Sequence, residues 1–270
     1  MLFSQLASYL GKLEKTRSRN EITEILADLF THASADEIGK LSYLLQGRVV
    51  PLYEAVEFGV ADKFIIRAIA LAYGVSSEQV MKEFKKLGDL GHAAQSLYNG
   101  ASKGLHVADV YEALYRIASV NGQGSQEKKI GLLSELLKKL DKESACYVVR
   151  IPIDKLRLGF SETTMLDALS WMLAGDKTLR PTLEDAYNVR PDIGYISETV
   201  KREGIKGLRH VRAHVGSPVL AQLSQRLPNA DDMIKKMGEV AVEPKYDGVR
   251  VELCLLYTSP SPRDRTRYRM

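Results

Sequence analysis

The chain has 270 residues, of which 45% are hydrophobic and 27% are charged, so its composition is that of a folded globular protein and excludes a disordered or fibrous one. This length suffices for one large domain or two ordinary ones. No apolar run approaches the ~18 residues of a membrane span, and the first residues lack the basic head of a secretory signal, so we expect a cytoplasmic protein.

Charge and cysteine content restrict the kinds of site further. The net charge is +4, but four arginines and one aspartate fall within residues 254–270, so the rest of the chain is nearly neutral. Attraction to nucleic acid would therefore have to come from local clusters of charge. Cys146 and Cys254 are too few for a disulfide framework or a cysteine-based metal site, so we expect two free thiols and assign no metal ligands.

Residues 1 to about 205 have the pattern of an all-helical segment. Ser18 and Ser34 each precede a glutamate by three residues, which is typical of a capping box at a helix start. Apolar residues at helical spacing follow, and several of the segments end at a glycine. The pattern predicts helices over 64–73, 76–87, 107–120 and 126–140.

Two glycine-containing turns precede helical segments in this part of the chain. One is Gly88-Asp-Leu-Gly91, and the other runs from Lys155 to Thr164. A helix start has unpaired backbone amides and the positive end of the helix dipole, so such a turn can bind a phosphate. In the second turn the candidate phosphate-binding residues are Lys155, Arg157, Gly159, Ser161 and Thr163. The alternative is that the serine only caps the helix.

The pattern changes after Gly207. A basic cluster spans this point, and it comprises Lys201, Arg202, Lys206, Arg209 and Arg212, with His210 and His214 nearby. It is either a solvated helix end or a local footprint for an anionic partner. Residues 208–215 alternate as a strand would, a short helix is predicted over 230–237, and β-type runs at 240–244 and 249–253 flank Lys-Tyr-Asp-Gly.

The sequence Glu243-Pro-Lys-Tyr-Asp-Gly-Val-Arg250 has the residue types of a lysine nucleotidyl-transfer site. The unprotonated amine of Lys245 can attack phosphorus, and burial or nearby cations would favour that form. Gly248 lets the backbone pass close to a nucleotide, Arg250 can hold a ribose or phosphate oxygen, and Glu243 can accept from an adenine amino group. Asp247 could orient the turn. The alternative is a plain strand, turn and strand.

From Met1 to about Leu253 the chain resembles the ATP-dependent DNA ligases of the archaeal and eukaryotic replicative type. Several separate motifs carry the resemblance in the order of the family. They are Leu13-Glu-Lys-Thr16 with Glu24-Ile-Leu-Ala-Asp-Leu-Phe30, Gly88-Asp-Leu-Gly91, Lys155-Leu-Arg-Leu-Gly-Phe-Ser-Glu-Thr-Thr-Met-Leu-Asp-Ala-Leu-Ser170, Ala186-Tyr-Asn188, Asp192-Ile-Gly194 and Met237-Gly-Glu-Val-Ala-Val-Glu-Pro-Lys-Tyr-Asp-Gly-Val-Arg250.

The resemblance implies a mainly α, helical DNA-binding domain over 1–210, followed by the truncated β-rich start of an adenylation domain over 217–253. The domain would grip nicked duplex DNA across the minor groove. Its phosphate contacts would include the two glycine turns, with Gly88 and Gly91 in the first, which favours phosphate binding over plain capping.

In that family the motif lysine is adenylated by ATP with a divalent metal such as Mg²⁺. AMP then passes to the 5′-phosphate at a nick, and the 3′-hydroxyl displaces it. Lys245 would be the catalytic nucleophile and would bind ATP together with Glu243 and Arg250, with Asp247 and Gly248 in the supporting turn. The implied setting is DNA replication, repair and recombination by a monomer in the cytoplasm or nucleoid, with a sliding clamp as a further candidate partner.

Residues 254–270 depart from the family, and we expect a disordered basic tail, either from a truncated reading frame or as a genuine DNA-holding extension. We also expect poor order after about residue 217, because the strands there lack partners. The later nucleotide-binding and metal-binding motifs are not found in the chain. Two other functions stay open: a non-catalytic helical DNA-binding module, and a different lysine nucleotidyltransferase such as an RNA ligase or capping enzyme.

Overall fold

The computed structural model describes residues 1–156, 158–220, 227–242 and 244. The chain divides into two units, Met1–Gln222 and Leu223–Met270. The described residues are mainly helical, which confirms the α-helical part of the predicted fold class. Among them, no helix is both long enough and apolar enough to span a bilayer.

The first unit consists of twelve α-helices and two 3₁₀ helices within the described residues. The α-helices are α1 Phe3–Lys15, α2 Arg19–His32, α3 Ala35–Leu45, α4 Asp62–Tyr73, α5 Ser77–Leu87, α6 Leu90–Ser96, α7 Val107–Ser119, α8 Ser125–Leu137, α9 Lys142–Arg150, α10 Glu162–Ala174, α11 Arg180–Val189 and α12 Ile193–Glu203. The 3₁₀ helices are Ile151–Ile153, after α9, and Gly204–His210, after α12.

The ends of α5 show why local sequence predicts these helices well. The Ser76 backbone N–H donates to Gln79 Oε1 at 2.9 Å, and the Ser76 hydroxyl accepts from the Gln79 N–H at 3.2 Å, which satisfies two groups at the helix start. Gly88 ends the helix in the left-handed region at φ 71°, which favours glycine. The predicted helices 64–73 and 76–87 are confirmed within two residues at each end.

Four helix pairs make the largest contacts of the first unit: α3 with α12, α2 with α10, α6 with α9, and α4 with α8. At the first of these, α12 approaches the Tyr43 ring so closely at Gly194 that a side chain there would overlap it. The Tyr43 hydroxyl donates to Asp192 Oδ1 at 2.6 Å, and the Ser42 hydroxyl donates to Ser197 Oγ at 2.9 Å. Small residues and buried hydrogen bonds therefore fix this pair.

The described part of the second unit contains helix α13, Ala230–Met237, where the sequence predicts it. Asn229 is its N-cap, and its side-chain oxygen accepts from the Asp232 N–H at 2.8 Å.

One strand prediction is wrong. Residues 204–210 form a 3₁₀ helix, followed by irregular backbone, where we expected a strand over 208–215. The described residues of 240–244 form no strand, and Glu243 and the other predicted β-type run, at 249–253, lie outside the described residues. The predicted β-rich start of an adenylation domain is therefore not seen in the part of the chain that the structure describes, where the only β pairing is a bridge between Leu2 and His106.

Candidate nucleic-acid interface

The turn before α10 presents polar groups on a buried apolar base. Leu156 and Leu158 are buried, whereas Gly159 is exposed with φ 74°. Lys155 is partly exposed, and its backbone N–H donates to the Arg150 carbonyl at 3.0 Å, at the end of α9. The alternation of buried leucines with polar residues thus anchors the turn while it leaves one side open to a partner. Arg157, between the two leucines, lies outside the described residues.

Ser161 is the N-cap residue of α10, but its hydroxyl makes no capping hydrogen bond. Its backbone carbonyl begins the helix by accepting from the Thr164 N–H at 2.9 Å. The first amides of α10 have no acceptor within the helix, and the exposed Ser161 and Thr163 add hydroxyls next to them. An anion would find several donors here at the positive end of a helix dipole.

One carboxylate lies in the first turn of α10. Glu162 would weaken the attraction of this helix start for a phosphate, but its Oε1 accepts from Gln46 Nε2 at 3.1 Å, which ties it to the residue that follows α3. The amide donor partly offsets its charge at that point.

The turn at Gly88–Gly91 has a different structure. Gly88 is exposed, but the Asp89 carboxylate already caps α6, since its Oδ1 accepts from the His92 N–H at 2.8 Å. Gly91 is buried against α9, where a Cβ would lie 2.6 Å from the Cys146 carbonyl oxygen and 2.7 Å from Arg150 Nε. The absence of a side chain at Gly91 thus serves close helix packing. Gly88 is the residue of this turn that faces solvent.

Arg150, which no sequence pattern singled out, lies beside both turns. Its side chain is 3% exposed. Nε donates to Asp89 Oδ1 at 3.0 Å, Nη1 donates to Glu14 Oε1 at 2.6 Å, and Nη2 lies 3.2 Å from His92 Nε2. The Tyr147 hydroxyl donates to the second Glu14 oxygen at 2.8 Å. Helical periodicity could not have revealed this network, because its members come from α1, α6 and α9.

The same place brings together three potential metal ligands, because atoms of Asp89, His92 and Cys146 lie within 4.8 Å of one another. Two features oppose a cation there. The guanidinium of Arg150 already binds Asp89 and contacts His92, and burial raises the pKa of the Cys146 thiol to about 12, which disfavours the thiolate that a metal needs. The cluster therefore has the chemistry of a salt-bridge network.

The basic cluster after residue 200 divides into two parts. Lys201 Nζ donates to the carbonyls of Phe30 and Thr31 at the end of α2, each at 2.9 Å. Arg202 pairs with Glu198 at 2.9 Å and also with Asp36. These two cations stabilise the fold. Lys206, Arg209 and Arg212 are exposed, although Arg212 Nη1 also donates to the carbonyls of Arg209 and Val211, at 2.7 and 3.0 Å. Their exposed positions allow contact with a partner.

The predicted nucleotide-binding residues Glu243, Lys245, Asp247, Gly248 and Arg250 lie outside the described residues. Their roles stay predictions.

Comparison with known proteins shows the family to which this chain belongs. The family model described as "DNA ligase N terminus" matches residues 2–170. A probable DNA ligase of Dictyoglomus thermophilum is 42% identical over 253 residues, covering 94% of this chain and 44% of the relative. A DNA ligase of Nitrosopumilus maritimus is 38% identical over 260 residues, with the same coverage of both chains. One of Aeropyrum pernix is 37% identical over 272 residues, covering 94% of this chain and 45% of the relative. The chain thus spans somewhat less than half the length of these relatives.

Proposed function

Because this chain belongs to the DNA ligase family, we propose that its first unit binds duplex DNA through the phosphate backbone, with the turn from Lys155 to Thr163 as a principal contact. The observation that carries the proposal is the start of α10. There a serine at the N-cap position leaves its hydroxyl free, beside an exposed glycine at positive φ and a lysine. Backbone amides, hydroxyls and one cation are the groups that hold phosphates without reading bases.

The nearly neutral charge of residues 1–253 supports a local contact of this kind. Association steered by a broad positive surface would need an excess of cations that these residues lack. Binding would instead depend on a few phosphate contacts, from the turn before α10, from Gly88 and from the exposed cations after residue 205. Arg157 stays a predicted member of this set.

A pair of serine variants tests the contact. Ser161→Ala should leave stability nearly unchanged, because the hydroxyl makes no capping bond, and should raise the Kd for duplex DNA roughly five- to tenfold if the hydroxyl donates to a phosphate. Ser76→Ala is the matched control, since Ser76 does cap α5, and should cost about 1 kcal/mol of stability with unchanged DNA affinity.

Fluorescence anisotropy with nicked and intact duplexes, together with urea unfolding, gives both quantities. Lys155→Ala should in addition make the slope of log K against log salt shallower by about one. If Ser161→Ala unfolds as readily as Ser76→Ala and binds DNA like the unaltered chain, Ser161 is only a cap and the proposed contact is wrong.

We further propose that the full-length protein is an ATP-dependent DNA ligase in which Lys245 is the nucleophile. The amine of Lys245 would attack the α-phosphorus of ATP and displace pyrophosphate, and AMP would then pass to the 5′-phosphate of a nick before the 3′-hydroxyl displaces it. Glu243 and Arg250 would hold the nucleotide, with Mg²⁺ as the divalent metal. Family membership and the motif around Lys245 support this proposal. Monomeric state, a sliding clamp as partner, and roles in replication, repair and recombination stay predictions.

Incubation with α-labelled ATP and magnesium tests the catalytic proposal. Label that survives denaturation and is absent from Lys245→Ala would establish adenylation by this chain. Duplex binding without label would mean that these 270 residues act as a non-catalytic DNA-binding module, which is the second candidate function. The third alternative, an RNA ligase or capping enzyme, has no remaining support because the chain belongs to the DNA ligase family.

A further inference from the structure

Three sequence motifs that lie far apart in the chain meet at one residue that belongs to none of them. Glu14 of the first motif accepts from Arg150 Nη1 at 2.6 Å, and Asp89 of the second accepts from Arg150 Nε at 3.0 Å. Lys155, which begins the third, donates its backbone N–H to the Arg150 carbonyl at 3.0 Å. The side chain of Arg150 thus holds the turn before α6, and its main chain holds the turn before α10.

We propose that Arg150 is a positioning residue that fixes the distance between the two phosphate-facing turns, so that both can bind the DNA backbone at once. The proposal rests on the proposed function of these turns in DNA binding. Phosphates along a strand have a set spacing, and two contacts reinforce each other only when the protein already holds them at that spacing. Otherwise ordering the turns costs entropy at the moment of binding.

The geometry around Arg150 suits the planar guanidinium group of arginine and no other cationic side chain. Its three donor nitrogens point to three partners: Glu14 on α1, Asp89 at the N-cap of α6, and His92 on α6. Lysine is a point charge on a flexible stem and cannot satisfy these partners together. Gly91 is part of the same arrangement, because a Cβ there would lie 2.7 Å from Nε and would displace the guanidinium.

Charge explains why the network depends on this one residue. Arg150 stands against two carboxylates, Glu14 and Asp89, whose side chains are only 30% and 24% exposed. Removal of the guanidinium would leave two partly buried negative charges close together, directly beneath a surface that is proposed to receive phosphates. The turns would then separate or reorient to hydrate those charges.

Arg150→Lys in the 270-residue chain tests the proposal, with Lys129→Met as the matched control. Lys129 is also buried, and its Nζ donates to the Phe58 carbonyl at 2.5 Å, remote in sequence from both turns. In Arg150→Lys the side chain no longer anchors the end of α9 to Glu14, Asp89 and His92, and the carbonyl of residue 150, which holds the second turn, moves with that end. We therefore expect amide hydrogen exchange to become about tenfold faster or more in both turns, 88–91 and 155–163. The slope of log K against log salt for duplex DNA should become shallower by about one for each phosphate that the turns no longer bind. Lys129→Met should change neither quantity.

Asp89→Asn separates the two halves of the network. Asparagine still caps α6 but is uncharged, so it cannot form the ion pair with Arg150. Amide hydrogen exchange should therefore become faster in the first turn and stay unchanged in the second. If Arg150→Lys leaves amide hydrogen exchange in the turns unaltered, or alters it no more than Lys129→Met does, the positioning role is wrong. A third outcome is that Arg150→Lys exchanges faster in both turns but the unaltered chain binds no duplex DNA. That result would support the structural role of Arg150 and contradict the proposed function of the turns.

Discussion

Gly91 lies where α6 packs tightly against α9. At this point the Cys146 carbonyl oxygen and Arg150 Nε occupy the space that a side chain would need, so the helices can touch only through a residue without a Cβ. The sequence indicated a phosphate contact for this glycine, and the structure gives it a packing position beneath the turn. The effect of Gly91 on DNA binding would then be indirect, through the placement of Asp89 and Arg150.

A comparison of two helical glycines tests this. Gly91→Ala should destabilise the protein by about 1–3 kcal/mol, the usual range for overpacking a tight site. Gly131→Ala is the control, because Gly131 lies within α8 with nothing within 4 Å of its would-be Cβ. It should be neutral or stabilise the protein by up to ~1 kcal/mol, since alanine favours the helix. Urea unfolding measures both variants. Equal stability of the two would show that the α6–α9 contact relaxes at no cost.

Among the elements, the 3₁₀ helix Gly204–His210 departs most clearly from the expected structure. Leu208 and Val211 are buried and Ile205 is partly buried, which is a spacing of three and matches three residues per turn. Val215, which a strand would place in line with the other apolar residues, is 96% exposed. Ile205, Leu208 and Val211 fit a period of three, whereas Val211, Ala213 and Val215 fit a period of two. Packing of this segment against α11 and α12 favours the helical period.

Two valine truncations distinguish these alternatives by experiment. Val211→Ala should cost about 1.5–3 kcal/mol of unfolding free energy, because Val211 is buried and its removal leaves a cavity. Val215→Ala should change stability by no more than ~0.5 kcal/mol. Thermal unfolding followed by circular dichroism is sufficient to compare them. Similar destabilisation by both variants would contradict the 3₁₀ helix and support a strand with alternate residues buried.

Across the whole molecule, the cations differ in whether they are paired within the fold or exposed to solvent. The net charge of +4 comes largely from residues 254–270, so the DNA binding proposed for the helical unit would depend on local groups. Several of its cations are already committed to the fold: Arg150 to Glu14 and Asp89, Lys201 to α2, and Arg202 to Asp36 and Glu198. The free donors at α10 and the exposed cations after residue 205 are what remains for a phosphate backbone.

The sequence by itself determined the helical class, most helix boundaries within a few residues, and the motifs that point to the family, because caps, glycine ends and apolar periodicity act over short stretches of chain. It could not decide between strand and 3₁₀ helix at 204–211, since that choice depends on which neighbour buries the apolar residues. Nor could it identify Arg150, whose partners are contributed by α1 and α6. Only the tertiary structure showed that Ser161 leaves its hydroxyl without a capping bond, that Gly91 serves packing, and that one buried guanidinium connects Glu14 and Asp89, which belong to two separate motifs.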